Sequence, residues 1–238
     1  MKNPADTFEH AINSVTGTTL KQSGQHSDQD QTDWPDWLKE AEIKDAVVEI
    51  KNGKVIWKSG TWIDGVSEGG TWETGTWLDG IWRSGTWLNG VWENGVWQGG
   101  TWLNGTWLDG TWEDGIWKSG TWLNGTWENG TWQGGTWLNG VWEGGTWEDG
   151  TWLNGVWQGG TWEDGTWEKG TWWRGTWQTG TWEDGIWKWG VWRSGTWEGG
   201  TWMDGTWKYG TWWRGTWQGG NWYGGTWKKG KGKPSTAE

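Results

Sequence analysis

From Ile56 to Gly230 apolar and polar positions recur with a period of five, without a single insertion. This defines 35 pentads, in which the second position is Trp in 34 (Ser67 is the exception) and the fifth is Gly in all. The first position is Thr in 24, Ile or Val in ten, and Asn221 in the one remaining. Positions three and four vary, although the fourth is Asp or Asn in 15 units and Gly in eight. A period of five matches neither a 3.6-residue helix nor simple two-residue alternation. It matches a short extended segment closed by a fixed turn. In Gly-Thr-Trp, alternation places Gly and Trp on one side and Thr on the other, while Asn, Asp and Gly at the corner tolerate turn dihedrals. Thr, Gly and scattered Val, Ile and Leu cannot make a core, so the Trp column is expected inside, with the neighbouring Gly making room for each ring. The pattern predicts an all-β, single-chain β-solenoid (β-helix) over residues 56–230.

The flanks read differently. Residues 1–33 are polar, without an apolar period, and are expected to form a disordered tail. Residues 34–55 are expected to form a small N-terminal cap. Pro35 opens a short helix through Leu38 to Glu42 with Asp33 as N-cap, and Ala46–Ile50 and Val55–Trp57 form a hairpin around Asn52-Gly53. Residues 231–238 form a polar C-terminal tail.

Composition narrows the function classes. The chain of 238 residues holds 39 Trp, 47 Gly and no Cys. That excludes a disulfide scaffold, thiol chemistry and Cys-ligated metals, and the skew itself marks a repeat protein. No apolar run is long enough for a transmembrane helix, and the N-terminus lacks a secretory h-region. A cytoplasmic or virion-associated setting is the expectation. The net charge of −11 keeps a Trp-rich chain in solution and disfavours nucleic acid as a partner.

Read as Gly-Thr-Trp-x-x, the unit resembles the pentapeptide-repeat family, whose pattern is a small residue, a polar residue, a central Leu or Phe and two variable residues. The resemblance covers residues 56–230. Gly here replaces the usual Ala, Thr the usual Asn or Asp, and Trp the usual Leu or Phe. It implies a right-handed β-helix of four pentads per coil, with small and central side chains inward. The residues themselves give two answers on coil size. Seven of the 11 apolar third positions (Ile63, Leu78, Leu108, Leu123, Leu138, Leu153 and Trp213) share one phase of a 15-residue period, which favours three pentads per coil. The triplet at 86–100 also recurs at 121–135 with Thr for Val, consistent with a three-pentad block. The volume of Trp favours the roomier four-faced coil, and four faces are the expectation.

Catalytic groupings are missing. The two histidines, His10 and His26, fall in the tail, and the Gly spacing belongs to the pentad rather than to a phosphate loop. The Glu-Asp pairs at 113–114, 148–149, 163–164 and 183–184 are read as solvated corners rather than a calcium site. Asn104, Asn124 and Asn129 head Asn-Gly-Thr triplets but are read as turn residues. No cofactor is expected.

One asymmetry carries the functional reading. Residues 1–170 hold 10 basic and 25 acidic groups, whereas 171–238 hold 9 and 5. In this last part aromatics appear outside the Trp column. The candidate binding residues are Trp173, Arg174, Trp189, Tyr209, Trp213, Arg214 and Tyr223, with Lys188, Arg193 and Lys208 close by. Exposed aromatics among Arg and Lys suit interfaces, sugar stacking or anionic ligands. Trp173-Arg174 and Trp213-Arg214 lie eight pentads apart, two whole coils if the coil has four faces. The expectation is a non-enzymatic structural or adhesive rod, with a binding face near its C-terminal end for a protein or for an anionic glycan or surface. Self-association through the solenoid ends is compatible with it. The alternative is an acidic DNA mimic that inhibits a DNA-binding enzyme such as a topoisomerase, as some pentapeptide-repeat proteins do. The dilution of charge by Leu and Gly and the basic C-terminal end count against it. Ice binding through the Thr columns is disfavoured, because each pentad offers one Thr rank.

Overall fold

The computed structural model describes residues 33–235. The expectation of a disordered tail, His10 and His26 included, lies outside these residues apart from Asp33. The chain is an all-β solenoid introduced by helix α1 (Asp36–Glu40), strand β1 (Glu42–Lys51) and strand β2 (Lys54–Asp64). Pro35 caps α1 without a side-chain hydrogen bond, so Asp33 does not serve as N-cap, and the chain is already extended at Glu42. The β1–β2 hairpin turns at Asn52-Gly53, both with positive φ (53° and 72°), as an Asn-Gly hairpin requires. Strand β2 continues round the first corner of the solenoid and contributes Trp57 and Trp62 to two successive faces.

The coil contains three pentads, not four. Thr126-Trp127 pairs in parallel with Thr111-Trp112 below and Val141-Trp142 above. The same three-pentad register holds from Ile56↔Thr71 to Thr211↔Thr226. The third face, which begins at β3 (Val66–Ser67), is a sheet of 11 strands. Each pentad donates twice to the coil beneath it. Thr126 N–H bonds the Gly110 carbonyl at 2.9 Å, and Glu128 N–H bonds the Trp112 carbonyl at 2.8 Å. These bonds repeat along the array and occupy the carbonyls of positions two and five.

Packing explains why three faces suffice for the largest side chain. Each indole lies nearly parallel to its counterpart one coil on; Trp127 stacks on Trp112 and Trp142 with centroids 4.7 and 4.8 Å apart and planes 6° apart. Within a coil each ring meets the next edge to face, as Trp127 does with Trp122 and Trp132 at 6.0 and 5.9 Å. Both geometries are those the aromatic quadrupole favours. Three rings in a pinwheel fill a triangle to its axis, whereas a fourth side would open a void there, against close packing. The result is three continuous indole columns, fully buried from Trp87 to Trp212.

The fifth-position glycine has a stricter role than giving space to a ring. Gly135 has φ +114°, and a Cβ there would run into the backbone carbonyl of Gly120 one coil below. Both the turn and the close approach of coils demand glycine.

Ser67 marks the cap. It is buried on the third face, where a Trp would start the column one coil below Trp82. Leu38 of α1, 1% exposed, is held over this position among Trp37, Val55, Trp57 and Trp62. The missing indole is the space that α1 fills, with a residual cavity of only about 10 Å³.

Candidate binding surface at the C-terminal coils

The ladder uses the backbone of the pentad, and Trp and Gly point into the coil. Side chains at positions three and four therefore project from the corners, one above another in successive coils. Along most of the rod these columns bind themselves. Arg83 meets Glu68 at 2.6 Å, Lys58 meets Glu73 at 2.6 Å, and Asn139 Nδ2 donates to Asn124 Oδ1 and Asn154 Nδ2 to Asn139 Oδ1 at 3.1 and 3.3 Å. Lys58 also lies 3.3 Å from Glu49. The hydrogen bond to Glu73 foremost, opposed by partial burial and aided by Glu49, raises its pKa above the ordinary value. Glu148-Asp149 and Glu163-Asp164 stack on one corner, and no group of three or more Asp, Glu, His or Cys among the described residues is arranged to hold a metal.

The aromatic and basic residues of the last coils do project outward. Trp173, Trp189, Tyr209, Trp213 and Tyr223 are 48–70% exposed. They do not share one face. With three pentads per coil, a separation of eight pentads is not a whole number of turns, so Trp173-Arg174 follows the third face and Trp213-Arg214 the second. Tyr209 and Tyr223 follow the first face. The expected column of two Trp-Arg pairs does not exist; the seven residues are spread over the three corners.

Two of the aromatics are covered by lysines of the next coil. Lys188 Nζ lies 3.4 Å from the Trp173 ring centroid and Lys228 Nζ lies 5.9 Å from that of Trp213, cation–π contacts that reduce the free face of both rings. Tyr209 lies against Gly224 of the coil above, its ring carbons 3.2–3.3 Å from where a Cβ would stand. Trp189 has no cation over it among the described residues.

The structure instead brings together a set that includes six positions the sequence did not single out as sites. A groove of about 720 Å³ runs along the corner between the third and first faces. Thr176, Val191, Thr206 and Asn221, first-position residues of successive coils on the first face, line one side of it, and Arg174, Trp189 and Asp204 the corner side. Glu143 closes one end. Arg174 is laid along the wall because Gly159, directly beneath it, has no side chain; its Nε and Cγ come within 3.7 and 3.9 Å of where a Gly159 Cβ would stand. Arg214 lies over Gly199 in the same way. Neither Arg174 nor Arg214 has an ion-pair partner within 4 Å among the described residues. One oxygen of Asp204 accepts the Gly205 N–H at 2.7 Å, which fixes its carboxylate at the rim.

The chain matches no family model, no curated protein and no solved structure. No helix among the described residues is long and apolar enough to cross a membrane.

Proposed function

We propose that this protein is a non-enzymatic structural or adhesive rod that presents a binding surface on its C-terminal coils, as a Trp-centred relative of the pentapeptide-repeat solenoids. Its setting in this reading is the cytoplasm or a virion. The observation that carries the proposal is where side-chain chemistry lies. The interior is a closed stack of indoles with no room for a substrate, and exposed aromatics beside unpaired Arg are confined to the coils after residue 170. α1 and the β1–β2 hairpin pack on the first coil, so end-to-end self-association in this reading would use the C-terminal coils. The DNA-mimic alternative is less well supported, since the corner from Leu123 to Asn154 carries only Leu and Asn where a duplex would carry charge.

The test is adsorption of the dye-labelled protein to beads bearing anionic or neutral polymers. The comparison is a variant with Trp173, Arg174, Trp189, Tyr209, Trp213, Arg214 and Tyr223 all replaced by Thr. Adsorption by the parent that the variant loses is the expected result. Equal adsorption by both, with the variant folded, would overturn the C-terminal assignment.

A further inference from the structure

We infer that the groove between the third and first faces binds an extended glycan, with a pyranose ring stacked on Trp189 and an acidic substituent paired with Arg174. The inference rests on the display reading above and deepens it. Three observations converge on this ligand class.

The first is shape. The groove follows the rod axis and crosses successive coils from Thr176 to Asn221, where the stacked indoles behind it are 4.8–4.9 Å apart. Its side-chain positions therefore recur once per coil. One sugar of an extended, equatorially linked chain is close to this length, so successive sugars meet equivalent positions. An extended peptide presents same-face side chains every two residues, about 6.7 Å apart, and falls out of step within a few coils.

The second is chemistry. A pyranose has apolar axial C–H faces and an equatorial belt of hydroxyls. Trp189 offers a free indole face for the former. The Thr176 and Thr206 hydroxyls, the Asn221 amide and the Asp204 carboxylate supply donors and acceptors for the latter. Val191 leaves an apolar patch between the two threonines, against which a C–H face can lie.

The third is charge. The Arg174 guanidinium borders the groove with no ion pair among the described residues, preset along the wall by Gly159. A planar fork of this kind takes a carboxylate bidentately. Asp204 and Glu143 make the rest of the groove unsuitable for a continuous polyphosphate backbone, whose binding depends on several neutralised phosphates. An equatorially linked glycan that is mostly neutral, with an acidic substituent on occasional sugars and hydroxyls between, meets both conditions.

The experiment is affinity electrophoresis of the full chain in native gels cast with lightly carboxymethylated cellulose, with neutral hydroxyethylcellulose or with poly-glutamate. The expected result is retardation by carboxymethylcellulose and none by poly-glutamate. Trp189→Thr should weaken the carboxymethylcellulose effect about tenfold or more. Arg174→Ser should weaken it and remove its sensitivity to salt. Both side chains project from a corner, so thermal unfolding should match the parent. Thr206→Glu, which sets a negative charge in the groove and leaves Trp189 and Arg174 in place, should also abolish retardation. No retardation by carboxymethylcellulose, equal retardation by poly-glutamate, or a Trp189→Thr variant that migrates like the parent would overturn the inference. Retardation by hydroxyethylcellulose alone would overturn the role of Arg174. If the gels fail while the bead assay still separates parent from the sevenfold variant, the glycan falls and the display reading stands.

Discussion

Removing one indole from the middle of a column tests the origin of the fold's stability. Trp127 is fully buried, stacked on two rings and edge-on to two more. Truncation to Ala takes away roughly 200 Å² of buried apolar surface, worth about 5 kcal/mol at 25 cal/mol/Å². The four ring contacts add about 0.5–1.5 kcal/mol each beyond area. Against this, most column indoles, Trp127 among them, have no hydrogen-bond partner for Nε1. Losing that buried donor returns about 1–3 kcal/mol. These terms sum to about 4–10 kcal/mol, so Trp127→Ala is expected to cost about 5 kcal/mol or more, at or beyond the upper end for large core aromatics. Trp227, at the end of its column, is partly exposed and keeps one stacked and one edge contact, to Trp212 and Trp222. Its truncation should cost about half as much on the same area scale.

The assay is urea unfolding followed by far-UV circular dichroism, together with hydrogen exchange at the Glu128 and Glu143 amides. Because each coil touches mainly its neighbours, the loss is expected to be local first and to appear as faster exchange in the coils flanking residue 127. Trp127→Ala costing less than about 1 kcal/mol, or no more than Trp227→Ala, would refute the reasoning that the stacked columns hold the coils together.

Other perturbations separate the remaining causes. Gly135→Ala should destabilise by about 3 kcal/mol or more, since it sets Cβ against the Gly120 carbonyl at a positive φ. Its neighbour Gly134→Ala, with nothing nearer than 3.6 Å and ordinary φ, should be neutral or stabilise by about 0.4–1 kcal/mol, and thermal melts of the pair decide it. Ser67→Trp restores the repeat but fills the space of Leu38, so it should cost about 1–3 kcal/mol and expose α1 to proteolysis. The raised pKa of Lys58 means that its ion pairs with Glu73 and Glu49 stabilise the fold below the ordinary lysine value of 10.5 and lose that effect as pH rises through the higher folded value. On the alkaline side, melting of Lys58→Met and of the parent should therefore converge only above the ordinary lysine range.

Much of this architecture is legible in the sequence because one residue type occupies one position. Invariant Trp and Gly at a strict period leave no other core, and the inward column follows by elimination. The coil size was legible too, but in a weaker signal than ring volume. The Leu108, Leu123, Leu138 and Leu153 phase and its companion Asn124, Asn139 and Asn154 reflect stacking along one corner. The volume argument failed because it compared areas per ring without asking what shape rings make together; edge-to-face contacts let three indoles close on the axis. The exposed aromatic residues of the last coils were legible in type and exposure, not in layout. Placing Trp173 and Trp213 together followed from the wrong coil. The groove needed the right one, although a trace was present: Gly159 and Gly199 each stand one coil before an arginine, Arg174 and Arg214.

That separation of roles within the pentad bears on function. Positions two and five are tied to the fold by the stacked rings and by the approach of backbones, and the ladder takes N–H groups from positions one and three regardless of their side chains. Side chains at positions three and four are therefore free to change coil by coil at little cost to stability, provided that neighbours in a column tolerate one another. Along residues 73–154 part of that freedom is taken up by pairs of Asn, Gln and acids within a column. After residue 170 the columns stop matching: Trp173 lies beneath Lys188, Arg174 above Gly159, and Trp189 above Arg174. A groove forms beside the corner where Arg174, Trp189 and Asp204 follow Gly159 in successive coils. Any ligand read there meets groups spaced by the coil itself, so the fold favours extended ligands whose own repeat is near 4.8 Å.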